Sequence, residues 1–426
     1  MKRISIGLWA TLATGSLAFG QAPATPPPAS PGPSTPSATA APPASPASLA
    51  TPASPAAANT CRTVGFLPTP ATFKSVEQLP DGRVTFRLCA PEATTVVVTS
   101  SDIGDVIPMD PGRGGPPAGL PMTKDEKGLW SVTTPKPIPP DTYRFNFSVN
   151  GVPLPNPQGT TFSEARVGTN GTFEVIGPEG AFQTYDKDVP HGAVAEIEYW
   201  SATLGVKRRA HVYTPPGYSR GSGNYPVLYL VHGAGDSDDS WTSIGHAHYI
   251  LDNLIAARKA KPMIVVMPFG HTPDRPGVDM LANTDFSDDL LKELIPYIEA
   301  NYRTRNDPAS RAMAGLSMGG AHTLNTGLPH PELFGYIGIF SMGLMNPRMA
   351  QDYAAKNAAA LRRAAKSMKL VYYAMGKTDF LYASVAPTRA MLDSHGIRHV
   401  YNETEGGHTW INWRRYFHDF APRLFR

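Results

Sequence analysis

The 426-residue sequence predicts a mostly parallel α/β sheet with helices on both faces, preceded by a small β-sandwich. Three observations predict it. Between Cys61 and Gly180, short runs alternate polar and apolar residues and are broken by Pro and Gly, as in half-buried antiparallel strands. From about His191 onward, apolar strand-like runs alternate with helical patterns, which implies parallel strands joined by right-handed crossovers. One of those runs, Arg311-Ala312-Met313-Ala314, leads into Gly315-Leu316-Ser317-Met318-Gly319-Gly320, and a helix-compatible stretch follows. G-x-S-x-G on a strand-to-helix turn is the pattern of a nucleophile elbow.

The elements follow in order. Residues 1–20 are expected to be a secretory signal. Lys2-Arg3 supply the positive start, Ile4 to Phe19 the apolar stretch, and Ala18-Phe19-Gly20 offers small residues at the two positions a signal peptidase reads. The stretch is short for a permanent anchor, and no later segment is long and apolar enough to span a bilayer. Residues 21–60 are almost wholly Pro, Ala, Ser and Thr without a charge, so they are expected to form a disordered spacer. The predicted destination is secreted or periplasmic.

The sandwich is expected over 61–180. Its strands are Arg83 to Leu88, Thr95 to Thr99, Gly128 to Thr133, Thr142 to Val149 and Gly171 to Ile176, with a hairpin turn at Asn150-Gly151. The α/β domain is expected over 185–426. Val227 to Val231 is apolar throughout, as in a central parallel strand. Strands are also expected at Met263 to Met267, Arg311 to Leu316, Tyr336 to Phe340, Leu370 to Met375 and Arg398 to Asn402. Helices are expected at His248 to Lys259 and at Phe286 to Asn301, where Leu290, Leu291, Leu294, Ile295 and Ile298 share one face.

The formal net charge of +3 is small for this length and no long basic run occurs, so nothing argues for nucleic acid. The two cysteines, Cys61 and Cys89, lie in the part expected to meet an oxidising compartment, where a disulfide between them is expected; two buried thiols are the alternative. There is no P-loop, no G-x-G-x-x-G and no cluster with metal-ligand spacing, so no cofactor is expected.

A serine hydroxyl needs a base to take its proton and an acid to orient that base. In sheets of this kind ligands meet the carboxyl ends of the strands, and the expected chain order is Ser, acid, His. Ser317 is the nucleophile. Asp379 follows the strand ending at Met375 and is chosen as the acid; Asp352 and Asp393 fall in helix-like runs. His408, after Gly406-Gly407, is chosen as the base over His330, His399 and His418. An oxyanion needs fixed N–H donors. Met318, directly after the nucleophile, supplies one, and Ala234, in the loop His232-Gly233-Ala234-Gly235-Asp236, the other. Trp241 and Trp410 flank these loops and are candidate substrate walls, with core packing as the alternative, whereas Trp413 reads as core.

These segments together resemble the esterase D-like α/β-hydrolases, and within them the family 1 carbohydrate esterases, which include feruloyl and acetyl xylan esterases. The resemblance rests on Tyr229 to Gly235, Leu294 to Glu299, Ala314 to Gly320, His330 to Phe334 and Gly407 to Trp410, and spans His191 to the C-terminus. The sandwich is similar to the immunoglobulin-like early-set domain found ahead of many such esterases. The resemblance implies acyl transfer from an ester, with Ser317, Asp379 and His408 as triad, Met318 and Ala234 as oxyanion donors, and esterified plant polysaccharide as partner. It leaves open an acyltransferase, an esterase of a siderophore or another small ester, and a carbohydrate-binding protein with a silent hydrolase domain.

Overall fold

A strand that is apolar at every position must be covered on both faces. Val227–Val231 is such a run, and all five residues are buried. In the computed structural model, which describes residue 61 and residues 72–108, 119–274 and 283–426, it lies inside an eight-stranded sheet. The expected signal and spacer, residues 1–60, lie outside the described residues. The strands are β1 (Ala193–Ser201), β2 (Val206–Thr214), β3 (Val227–Val231), β4 (Ile264–Pro268), β5 (Arg311–Leu316), β6 (Tyr336–Phe340), β7 (Leu370–Gly376) and β8 (Val400–Thr404). Their order across the sheet is β1-β2-β4-β3-β5-β6-β7-β8. β2 pairs antiparallel with β1 and β4, and all other neighbours pair parallel.

Side-chain alternation along each strand supplies two cores. Tyr229, Val231, Ile337 and Tyr373 face one side, under Leu290, Leu294, Ile298 and Leu361. Leu228, Leu230, Phe340 and Tyr372 face the other, under Trp241, Leu251, Tyr416 and Phe420. The sheet therefore carries helices on both faces, as its apolar runs predict.

Two elements differ from expectation. The β1–β2 hairpin was not legible, because β1 is an edge strand exposed at most positions and shows no clean alternation. The helix expected at 286–301 is broken into Asp285–Asp289, a wide π-type turn Leu290–Leu294, and Ile295–Asn301. Pro296 has no N–H to return to the preceding turn, so the ladder must adjust around it.

Ahead of the large sheet, two antiparallel sheets face each other across one core. One holds Val76–Gln78, Val84–Cys89, Leu129–Thr133 and Thr123–Lys124; the other holds Leu120–Pro121, Val96–Thr99, Asp141–Val149, Thr169–Val175 and Phe162–Glu164, with Val152–Leu154 beside Asp141–Val149. Phe86, Phe145, Phe147 and Phe173 interlock in that core with centroids 5.2–5.5 Å apart. Asn150 and Gly151 both take left-handed dihedrals, as the hairpin turn requires. Cys61 and Cys89 are bonded. Residues 57–426 form one compact unit, and buried ion pairs join the sandwich to the α/β layer.

Candidate active site

The site is built at the carboxyl ends of β3, β5, β7 and β8. β5 delivers Ser317 onto a turn with φ 51° and ψ −115°, a left-handed conformation costly for a residue with a Cβ. Close packing holds it there. A Cβ on Gly319 would stand 2.3 Å from the Val231 carbonyl oxygen, and one on Gly315 would stand 2.5 Å from the Gly319 carbonyl oxygen. Only glycine lets the helix Met318–His322 start this close to β3 and β5. The Ser317 N–H donates to the Phe340 carbonyl (2.9 Å), which ties the turn to β6.

Asp379 sits in the turn after β7 and is buried. Its Oδ1 accepts the Leu381 N–H (2.9 Å), and both its oxygens lie 3.0 Å from His408 Nδ1. A carboxylate can only accept, so His408 donates from Nδ1, and in the neutral ring Nε2 is the basic nitrogen. The two loops interlock: the Thr378 N–H donates to the Gly406 carbonyl (3.1 Å), and Gly406 takes φ 82°. Asn412 Nδ2 holds the Gly407 carbonyl (2.9 Å). Ser317, His408 and Ala234 line one cleft of about 410 Å³.

Met318 opens the helix after Ser317, so its N–H belongs to the group of helix-terminal donors without intrahelical partners. Ala234 lies in the loop after β3. The Gly270 N–H donates to His232 Nε2 (2.8 Å), so the His232 proton is on Nδ1, which donates to the Gly233 carbonyl (2.8 Å). Complete burial pushes the His232 pKa below its ordinary value, which keeps the ring neutral in this role.

The aromatic walls are not those the sequence suggested. Trp241 and Trp410 are 0% exposed and pack edge to face, 5.1 Å apart, in the core beneath the loops. They are corrected from substrate contacts to core. Trp410 is the first residue of the helix Trp410–Phe420, and its ring turns inward against Trp241. One turn later Trp413, read as core, is buried in that same core; its ring also reaches the cleft and meets the His408 ring edge-on at 5.0 Å. Phe380, next to Asp379, is 73% exposed and its ring centroid lies 4.5 Å from that of His408. Sequence reasoning missed Phe380, although its adjacency to the chosen acid was a usable signal. It also missed Asp102, Arg144 and Asn170, which reach the cleft from the sandwich and had no local signal.

Among the described residues no group of three His, Cys, Asp or Glu side chains comes together as a metal site, and no helix is long and apolar enough to cross a membrane.

Known proteins share this arrangement of elements. The Esterase family, described as "Putative esterase", matches residues 201–424. An endo-1,4-β-xylanase/feruloyl esterase of Xylanibacter ruminicola is 33% identical over 353 residues, which are 81% of this chain and 45% of that protein. The chain thus spans less than half the length of that relative. An acetyl esterase of Caldicellulosiruptor saccharolyticus is 26% identical over 46% of this chain and 81% of its own. Among solved structures, a ferulic acid esterase of Anaeromyces mucronatus superposes with a TM-score of 0.51 at 23% identity, covering 59% of this chain and 96% of its own. The enterobactin esterase of Shigella flexneri gives 0.55 at 16% identity, covering 82% and 94%. At those identities the two structures speak for the fold alone, which is that of the α/β-hydrolases. With its family match running from the end of β1 to the last turn, over half of the chain, the chain belongs to the esterase family.

Proposed function

We propose that the protein is a secreted serine carboxylic-ester hydrolase that removes feruloyl or acetyl groups from plant cell-wall polysaccharide. The observation that carries this reading is His408, paired with the buried Asp379 at 3.0 Å and lining the same cleft as a serine on a strained elbow. Ser317 Oγ attacks the ester carbonyl while His408 Nε2 takes its proton. Asp379 holds the imidazole tautomer and offsets the imidazolium charge. The Met318 and Ala234 N–H groups receive the oxyanion. His408 then protonates the departing sugar oxygen, which leaves as a hydroxyl, and a water activated by the same base releases the acid. No step calls for a cofactor.

Feruloyl and acetyl groups are the acyl groups named for two relatives, which motivates the substrate class. Phe380 and Trp413, both in ring contact with His408, suit an aromatic acyl group or a sugar face. Export is supported by the Cys61–Cys89 bond, since such bonds persist in oxidising compartments. We read the protein as two domains, an immunoglobulin-like sandwich over 61–180 and the hydrolase over 185–426.

The test is release of ferulate from methyl ferulate and of acetate from acetylated xylan, with the purified protein and its Ser317→Ala variant. Turnover lost in the variant supports the mechanism, and the product identifies the acyl group. Undiminished turnover in Ser317→Ala would remove Ser317 as nucleophile. Activity on neither substrate would remove the cell-wall assignment.

A further inference from the structure

The loop Gly233–Asp236 carries the second oxyanion donor but belongs to no helix or strand, so other groups must fix its shape. Several of them come from the sandwich. The Arg166 N–H donates to the Gly235 carbonyl (3.1 Å), and Ala165 forms a β-bridge with Asp236. Arg144, on the strand Asp141–Val149, sends Nη1 to Asp236 Oδ1 at 2.7 Å.

Both ends of that contact are fixed. The Arg144 guanidinium uses its remaining edge on Asp102, with Nε to Oδ2 at 3.2 Å and Nη2 to Oδ1 at 2.9 Å. The Arg144 backbone N–H also donates to Asp102 Oδ2 (2.8 Å). Burial pushes the Asp102 carboxyl upward, but the Arg144 charge and hydrogen bonds outweigh it and hold the group below its ordinary range. On the far side, Asp236 Oδ1 also lies 3.4 Å from Trp410 Nε1, and Asp236 Oδ2 accepts the Gly233 N–H (3.2 Å). The carboxylate is therefore gripped at both oxygens. It fixes the peptide one residue ahead of Ala234.

We propose that Arg144 is a positioning residue for the oxyanion site: the sandwich sets the donor geometry of the Ala234 N–H through the relay Asp102–Arg144–Asp236–Gly233. The inference rests on the Ser317 mechanism above. Oxyanion donors act by being aimed before the charge develops, so loosening one lowers kcat more than it weakens substrate binding. Without Arg144, Asp236 turns toward the water in the cleft and releases the Gly233 N–H.

The relay is tested on the full chain with Arg144→Lys, whose single ammonium cannot serve both carboxylates. The double variant Asp102→Asn/Arg144→Met removes both sandwich charges together and covers the case of a misfolded single variant. Deleting one oxyanion donor costs about 10²–10³ in kcat. Loosening one is expected to cost roughly tenfold to a hundredfold, with KM for methyl ferulate changed less than about threefold. Affinity for a trifluoromethyl ketone, whose serine adduct carries an oxyanion, is expected to fall by the same factor as kcat. A structural role alone would lower the thermal midpoint and leave that correspondence absent. Folded variants with kcat within about threefold of the parent, a loss confined to KM, or unchanged ketone affinity would each overturn the proposal. Turnover that survives Ser317→Ala would instead sink the mechanism on which it rests.

Discussion

Arg414→Met is expected to cost about 3–5 kcal/mol, because it strands a charge between the sandwich and the α/β layer. Arg414 lies on the last long helix and is 0% exposed. Its Nη2 stands 2.5 Å from Asp141 Oδ1 and 2.9 Å from the Thr142 carbonyl, both on a sandwich strand. Its Nη1 donates to the Ile244 carbonyl in the α/β layer at 2.5 Å. Asp141 is 1% exposed, and the nearest remaining cation, Arg415 Nη1, is 3.3 Å from Oδ2 without hydrogen-bond geometry. Truncation thus leaves a buried carboxylate whose only hydrogen bonds come from neutral donors, the Thr142 N–H and Gln183, with the half-exposed Arg415 as its remaining ion-pair partner. For a compact unit of about 370 residues, an unfolding entropy of ~2.1 cal/mol/K per residue turns that loss into a midpoint drop of roughly 4–6 °C. Thermal unfolding followed by circular dichroism reads it directly. The double variant Arg414→Met/Asp141→Asn should fall short of the summed single losses by about 1–3 kcal/mol, since it removes the stranded charge as well. A single variant within about 1 °C of the parent, or strictly additive losses, would refute the reasoning about a paired buried charge.

Two further outcomes follow from the same structure. In the proposed mechanism, Asp379→Asn no longer selects the Nδ1–H tautomer of His408, so kcat should fall about 10⁴-fold with an unchanged circular dichroism spectrum; a loss under tenfold would move the acid role to another residue. His322 lies stacked on Phe286 at 4.0 Å and hydrogen-bonds the Gly270 carbonyl (3.0 Å), and burial pulls its pKa down to about 3. Its folded pKa lies below the unfolded value near 6.5, so the associated stability is complete above that pH and drains as pH falls toward 3. At pH 5 the loss is about 2 kcal/mol, at ~1.36 kcal/mol per unit. His322→Gln should flatten the decline of the thermal midpoint between pH 7 and pH 5, and an unchanged slope would show that His322 does not carry it.

Much of the sheet was legible because its central strands are buried on both faces. Val227–Val231 and Tyr336–Phe340 are apolar throughout, and a continuous apolar run between turn residues leaves little alternative to a covered strand. The edge hairpin was not legible, because β1 faces water at most positions and so carries no pattern. At the site, Ser317, Asp379 and His408 each follow a strand, and the chain order narrowed them before any contact was known. The aromatic residues misled. Trp410 and Trp413 are three apart at the start of one helix and both are buried, and sequence spacing alone does not say which of the two rings also reaches the cleft.

By itself, the sequence determined the alternation of strands and helices, the elbow at Ser317, and the loops that would hold an acid and a base. Those features are local: each depends on the period of apolar residues or on glycines within a few positions of one another. Tertiary structure decided which walls the cleft has. Arg144 and Asp236 are 92 residues apart, and Arg414 and Thr142 are 272 apart. Their meeting depends on how the sandwich docks on the α/β layer, and no sequence periodicity encodes a contact over such separations. Packing within the α/β layer likewise buries Trp410 beneath the Gly233–Asp236 loop and sets Phe380 and Trp413 beside His408. A ring's position is set by the packing partners available to it, and those partners exist only once the layers have come together.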